Sequence, residues 1–164
     1  LKRIAAIMVL VVLVAGFAGC GAEPPGSDEN SLPPKEFVAV GDWSALVNGQ
    51  TVVDSIMVNG SKVTEDGKVF VKVNLTFRND SGDDRIFMLG MLNPSLVDAT
   101  GTVSPYELFV EGALDKVDAK KNETVTGDVF FKVTGDMTLK FEGMKLVLEN
   151  LGVREQPKVT IDLK

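Results

Sequence analysis

The sequence predicts an all-β fold, an antiparallel β-sandwich or barrel. Two observations carry this reading. From Glu36 onward apolar residues recur with a period near two, the strand period. Turn-forming pairs interrupt them at the spacing expected of many short strands.

Phe37-Val38-Ala39-Val40 opens the domain and Gly41-Asp42 breaks it. Trp43 to Val47 reads as a strand ending at an Asn48-Gly49 hairpin signal. Thr51 to Val58 reads as the next strand, closed by Asn59-Gly60, with Ser61 to Lys68 a polar loop. The clearest strand is Val69 to Arg78. Val69, Val71, Val73, Leu75 and Phe77 share one face, and Lys72, Asn74, Thr76 and Arg78 share the other. A turn-rich loop follows from Asn79 to Asp84. Arg85 to Leu92 is apolar on both faces, as in a central or loop-covered strand.

Leu96 to Gly101 is a short strand and turn, and Tyr106 to Ala119 reads as an irregular crossover. Thr124 to Val133 alternates again, with Gly127 on its inward face, where a bulge or a close backbone approach is expected. Met137 to Glu142, Met144 to Glu149 and Val159 to Leu163 complete the strands.

Ahead of this domain stand two segments of different composition. Residues 1–19 begin with Lys2-Arg3, run apolar from Ile4 to Phe17 and end in small residues, the order of an export signal. The run is shorter than the roughly 18–20 apolar residues that span a bilayer. Phe17-Ala18-Gly19-Cys20 resembles the bacterial lipobox, which implies cleavage before Cys20 and acylation of its thiol and freed amine. Cys20 is the chain's one cysteine, so no disulfide forms within the chain. Two or three acyl chains anchor stably where one is marginal. Residues 20–35 are rich in Pro, Gly and acidic side chains and bury too little to offset ordering entropy, so they are expected to form a flexible tether. Residues 36–164 form the folded domain.

Composition excludes several functions. There is no histidine, which removes Ser-His-Asp, Cys-His and His-metal chemistry. Loss of Lys2 and Arg3 with the leader leaves 15 basic against 23 acidic residues, a net charge of −8. Such a surface repels nucleic-acid phosphates, and no basic run exceeds Lys120-Lys121.

Three segments carry a family resemblance: Val69 to Asn79, Leu96-Val97-Asp98-Ala99-Thr100-Gly101, and Lys121 to Val133 with its Glu123-Thr124-Val125-Thr126-Gly127 core. Together they resemble the immunoglobulin-like lipoprotein domain of unknown function of Gram-positive bacteria, itself similar to the mycobacterial immunoprotective extracellular antigen. The resemblance covers Glu36 to Lys164. It implies an immunoglobulin-like sandwich at the cell surface and supplies no catalytic residues. In the turn before the last segment, Lys121-Asn122 stands where the family usually has Pro-Gly.

Candidate chemistry is sparse. Asp80, Asp83 and Asp84 share a loop and are the residues a calcium ion would use, but the spacing is not that of an EF-hand loop and no metal is assigned. Asp115, Asp118 and Glu123 are near in sequence without a marked cleft. Tyr106, Phe109 and Phe130 are the aromatics a binding patch could expose, Phe130 foremost because it falls on the polar face of its strand, although burial statistics for Phe favour its packing under a loop or second sheet. The expected function is a membrane-anchored, non-catalytic interaction module on the outer face of the cell membrane, without a cofactor, with an envelope protein as a candidate partner. A module binding a small ligand or a metal ion such as calcium is the alternative, and an envelope enzyme the third.

Overall fold

A computed structural model describes residues 36–152 and 158–164. The leader, Cys20 and the tether lie outside the described residues. The strands are β1 (Val38–Val40), β2 (Trp43–Val53), β3 (Ile56–Val58), β4 (Ser61–Val63), β5 (Lys68–Asn79), β6 (Arg85–Met88), β7 (Ser95–Val97), β8 (Val103–Pro105), β9 (Lys116–Ala119), β10 (Thr124–Thr134), β11 (Lys145–Glu149) and β12 (Lys158–Asp162). One sheet runs β1-β2-β5-β10 and the other β12-β11-β7-β8, with β3-β4 and β6-β9 as separate two-stranded ribbons. All strand pairings are antiparallel.

The core lies between the two sheets and follows from β5. Its five inward residues, Val69, Val71, Val73, Leu75 and Phe77, are all buried. They meet Val125, Val129, Phe131 and Val133 of β10 in the same layer, and Leu96, Leu146 and Leu148 from the opposite sheet. Gly127 sits in the inward row without a register shift, so there is no bulge. A Cβ added there would lie 2.9 Å from Leu114 Cβ, which explains the glycine as a site of close approach.

The outer face of this sheet carries a second, smaller core. Phe70 is fully buried against Ile56 and Val110, with Val53, Val58, Val63, Ala113 and Phe130 around them. The β3-β4 ribbon and the segment 107–114 form this cover.

Several elements differ from the sequence reading. Thr51 to Val58 is not one strand but the end of β2 and, after a break at Asp54-Ser55, strand β3, and the crossover from Tyr106 to Ala119 ends in strand β9. Asn48-Gly49 does not turn the chain. Strand β2 continues through it to Val53, with a bulge opposite β5 between Val47 and Gly49. Asn48 Nδ2 donates to Asn74 Oδ1 at 2.8 Å and to Thr76 Oγ1 at 2.9 Å, so side-chain bonds across the sheet hold both flanks on one partner. The polar loop after Asn59-Gly60 includes strand β4. Arg85 to Leu92 is not a central strand: β6 ends at Met88, and Leu89–Leu92 is a 3-10 turn. Its buried residues Phe87, Leu89 and Leu92 step first by two and then by three, which looks apolar on both faces when read as one strand. Met137 to Glu142 forms turns, because Asp136 accepts bonds from the Thr138 N–H and hydroxyl and reverses the chain.

The β5–β10 ladder does not stop at the sheet edge. Thr124 pairs with Arg78, Asn79 N donates to the Glu123 carbonyl at 3.0 Å, and Asn122 N donates to the Asn79 carbonyl at 2.9 Å. Beyond this corner the same two chain segments pair again as β6 and β9, from Arg85–Ala119 to Met88–Lys116. The ribbon places Phe87 over the end of the core, 4.7 Å from Phe77 and edge-on to Trp43 at 5.1 Å. Asn79 is fully buried at the corner. Its Nδ2 donates to the carbonyls of Asp83 (2.8 Å), Ala119 (3.1 Å) and Lys120 (3.2 Å), and its Oδ1 accepts from Ser81 N and Oγ.

Replacing Asn79 with Ala strips the donor from buried carbonyls, and each orphaned polar group costs about 1–3 kcal/mol. Urea denaturation of Asn79→Ala is expected to show a loss of about 2–3 kcal/mol on that scale. A loss near zero would mean that the corner holds without the carboxamide.

Candidate functional site

The three loop aspartates do not converge. Asp80 is engaged by Arg78, whose Nε lies 2.6 Å from Oδ1, and by the Ser44 hydroxyl. The Asp83 carbonyl accepts from Asn79 and Ser81. Asp84 Oδ1 accepts from Lys121 N at 3.0 Å. Among the described residues no group of three His, Cys, Asp or Glu is placed to hold a metal ion. Asp115, Asp118 and Glu123 are also separated in role. The Asp115 carbonyl accepts from Leu89 N, Asp118 faces Ile86 across the ribbon, and Glu123 Oε2 accepts from Lys120 N to close its turn.

The structure separates the three aromatic candidates. Phe130, the favoured one, is partly buried in the outer core of the β5 sheet, because the segment 107–114 folds over it. Tyr106 packs against the main core, where its chain bridges to Phe131 of β10. Phe109 is the exposed one, at 75%. Its φ is 59°, a left-handed conformation costing roughly 1–2 kcal/mol for a residue with a Cβ. Leu108 beside it is also exposed. The sequence offers Phe109 as one of three candidates but does not single it out, since it sits with Leu108 in an apolar run.

The segment carrying them is held on both sides. Glu107 N donates to the Phe130 carbonyl at 2.7 Å, Glu111 N to the Met57 carbonyl at 2.9 Å, and Leu114 N to the Asp128 carbonyl at 2.8 Å. Glu111 Oε1 accepts from Gly60 N at 2.6 Å, tying the segment to the tip of the β3-β4 ribbon. Between them lies a groove of about 470 Å³, lined by Ile56, Met57, Val110 and Phe130, with Lys72 and Asp128 paired at 3.5 Å. An apolar groove containing a neutralised ion pair, beside a projecting Phe109, suits an apolar side chain flanked by polar backbone.

Other polar groups serve the fold. Asp98 Oδ1 accepts from Thr100 N, Thr100 Oγ1 and Thr102 N, so it shapes the turn between β7 and β8. The Thr100 hydroxyl, then the Thr102 N–H, hold the Asp98 carboxyl below the usual carboxylate range. The Thr138 hydroxyl does the same to Asp136, and Arg78 to Asp80.

The arrangement is that of an all-β, antiparallel β-sandwich with a projecting surface loop. No protein-family model and no curated protein matches the sequence. Solved structures do. The yjhA protein of Bacillus subtilis is similar with a TM-score of 0.58 at 14% identity, over 79% of this chain and 97% of that one. The ycdA protein of Bacillus subtilis, a candidate lipoprotein, is similar with a TM-score of 0.54 at 16% identity, over 79% of this chain and 39% of that one. A conserved hypothetical protein of Bacillus anthracis gives 0.50 at 16% identity, over 77% of this chain and 92% of that one. These likenesses show a shared fold.

Asp80, Asp98 and Asp136 titrate lower in the folded chain than in the unfolded one. Their contribution is therefore complete above the unfolded carboxylate pKa of about 4 and is lost as pH falls through the lower folded values. Urea midpoints are expected to hold steady from about pH 7 to 5 and to drop below about pH 4. Asp98→Asn should flatten that drop, and an equally steep drop in the variant would remove Asp98 from the account.

Proposed function

We propose that the chain is a bacterial lipoprotein, acylated at Cys20 with palmitate-type chains, whose sandwich is held at the outer face of the cell membrane as a non-catalytic binding module. Its partner class is a protein or other envelope component. The leader, the lipobox-like Phe17-Ala18-Gly19-Cys20 and the single cysteine support the anchor. The described residues include no helix long and apolar enough to cross a membrane, and ycdA is a candidate lipoprotein of the same fold. The finer likeness to the immunoglobulin-like lipoprotein domain and the mycobacterial antigen belongs to this proposal and rests on residues 69–79, 96–101 and 121–133.

Phe109 is the observation that carries the binding role. Burying a Phe side chain is worth about 1.5–3 kcal/mol, and here the fold forgoes most of that while accepting a left-handed backbone. Two local disadvantages at one residue motivate a contact made outside the domain.

A second reading is a small-ligand module. It rests on a cleft of about 490 Å³, lined by Leu96, Val133, Leu139 and Met144 together with three lysines (Lys68, Lys132, Lys140) and three acids (Asp98, Glu107, Glu142). Titration calorimetry with small amphiphiles would favour this reading if heats saturate and disappear in Leu139→Asp.

Intact mass of the membrane fraction tests the anchor. A mass matching cleavage before Cys20 plus acyl chains is expected, with Cys20→Ser uncleaved or released. An unmodified chain retaining Lys2 and Arg3 would sink the reading. Phe109→Gly tests the display. Relief of the left-handed strain predicts stability unchanged or raised by up to about 1 kcal/mol in urea. A clear loss would make Phe109 a structural residue instead.

A further inference from the structure

The end of the sandwich capped by the β6-β9 ribbon leaves large apolar side chains in solvent. Ile86, Met88, Met91 and Leu151 are 55%, 41%, 43% and 63% exposed. They belong to one surface. Leu151 N donates to the Met91 carbonyl at 2.9 Å, and Ile86 and Met88 share a face of β6. A depression of about 200 Å³ lies among Ile86, Met88 and Met91, with Trp43 and Asn150 in its wall. The charges here are mixed. Asp42 faces Arg85 at 3.7 Å, and across the ribbon Asp118 and Lys116 stand opposite Ile86 and Met88. Asp84, Lys120 and Glu123 also stand beside Ile86, so the patch is apolar side chains among charges of both signs.

The first strand leads toward this end, its start at Val38 lying opposite Ala45, two residues along β2 from Trp43. Strand β1 runs from Val38 into the Gly41-Asp42 turn, and Asp42 lines the depression. Cys20 lies sixteen residues before Glu36. That length reaches at most about 55 Å when fully extended.

We propose that this end of the domain rests on the lipid surface of the membrane, with Ile86, Met88, Met91 and Leu151 entering the headgroup boundary. The proposal rests on the reading of Cys20 as acylated. A tether this short holds the patch near the bilayer at an effective concentration in the millimolar range, so a weak surface affinity suffices. The apolar side chains set the orientation: their burial at the headgroup boundary opposes the repulsion that anionic headgroups exert on an acidic domain. Phe130, against which the Phe109 segment is bonded, lies six residues along β10 from Thr124 at the ribbon corner, about 20 Å away at the rise of a strand. Lipid contact at the ribbon end therefore leaves Phe109 free for a partner.

Trp43 is the chain's one tryptophan and lines the depression, so it reports on this contact directly. The acylated full-length protein is reconstituted at low density in phosphatidylcholine vesicles with and without brominated acyl chains. Loss of Trp43 emission in brominated vesicles is expected. The Met88→Asp/Met91→Asp double variant, still sedimenting with vesicles, should keep its emission. Vesicle-bound protein with unquenched Trp43 overturns the docking alone, as does quenching that the double variant leaves unchanged. A Trp43 blue shift that grows with protein density in unbrominated vesicles assigns the patch to a second copy and overturns it too. Failure to sediment with vesicles overturns the acylation reading and the docking with it.

Discussion

A buried carboxamide governs one end of this sandwich. Asn79 stands where the longest ladder of the fold leaves its sheet, and its amide reaches three carbonyls from two chain segments. A buried amide is stable only when its bonds are complete, because the low local dielectric strengthens made bonds and penalises missing ones. The geometry of residues 79–84 and 119–123 is therefore set by what one side chain can satisfy. The ribbon beyond follows from it, and with the ribbon comes Phe87, which seals the core against Phe77 and Trp43.

Much of the fold was legible because its main strands obey simple alternation. Strands β5 and β10 are long, paired along their length and inward on one face, so their pattern survives tertiary packing. The errors have local causes. Asn48-Gly49 has hairpin chemistry, yet Asn74 and Thr76 lie across the sheet to hold Asn48, and a bulge results. Leu139 and Phe141 pack on the core from a loop that Asp136 turns, so alternating burial occurs there without a strand. Residues 85–92 combine two periods in one apolar run.

The site was less legible than the fold. Phe130 could be named both as a patch candidate and as a residue packed under a loop, because the sequence shows which face of its strand is polar but not what covers that face; the structure has the loop. The covering segment, 107–114, is held chiefly by backbone bonds, which leave no residue-specific trace. The same cover lifts Phe109 into solvent. Glu111, which ties the cover to Gly60, is one acidic residue among many in the sequence and becomes informative only through its partner. The short motif around Asp98, by contrast, resolves into turn chemistry.

The continuity of the β5–β10 ladder into the β6–β9 ribbon bears on how a repetitive sheet finds one alignment. Alternation rejects a slip of one residue, because every side chain would change face. It is indifferent to a slip of two, which keeps valines and threonines on their proper sides. Asn79 is not indifferent. A two-residue shift of β10 would carry Ala119 and Lys120 past its amide and break the bonds to their carbonyls. The corner thus acts as an index mark on an otherwise degenerate scale, selecting one alignment from a set that hydrophobic pattern treats as equal.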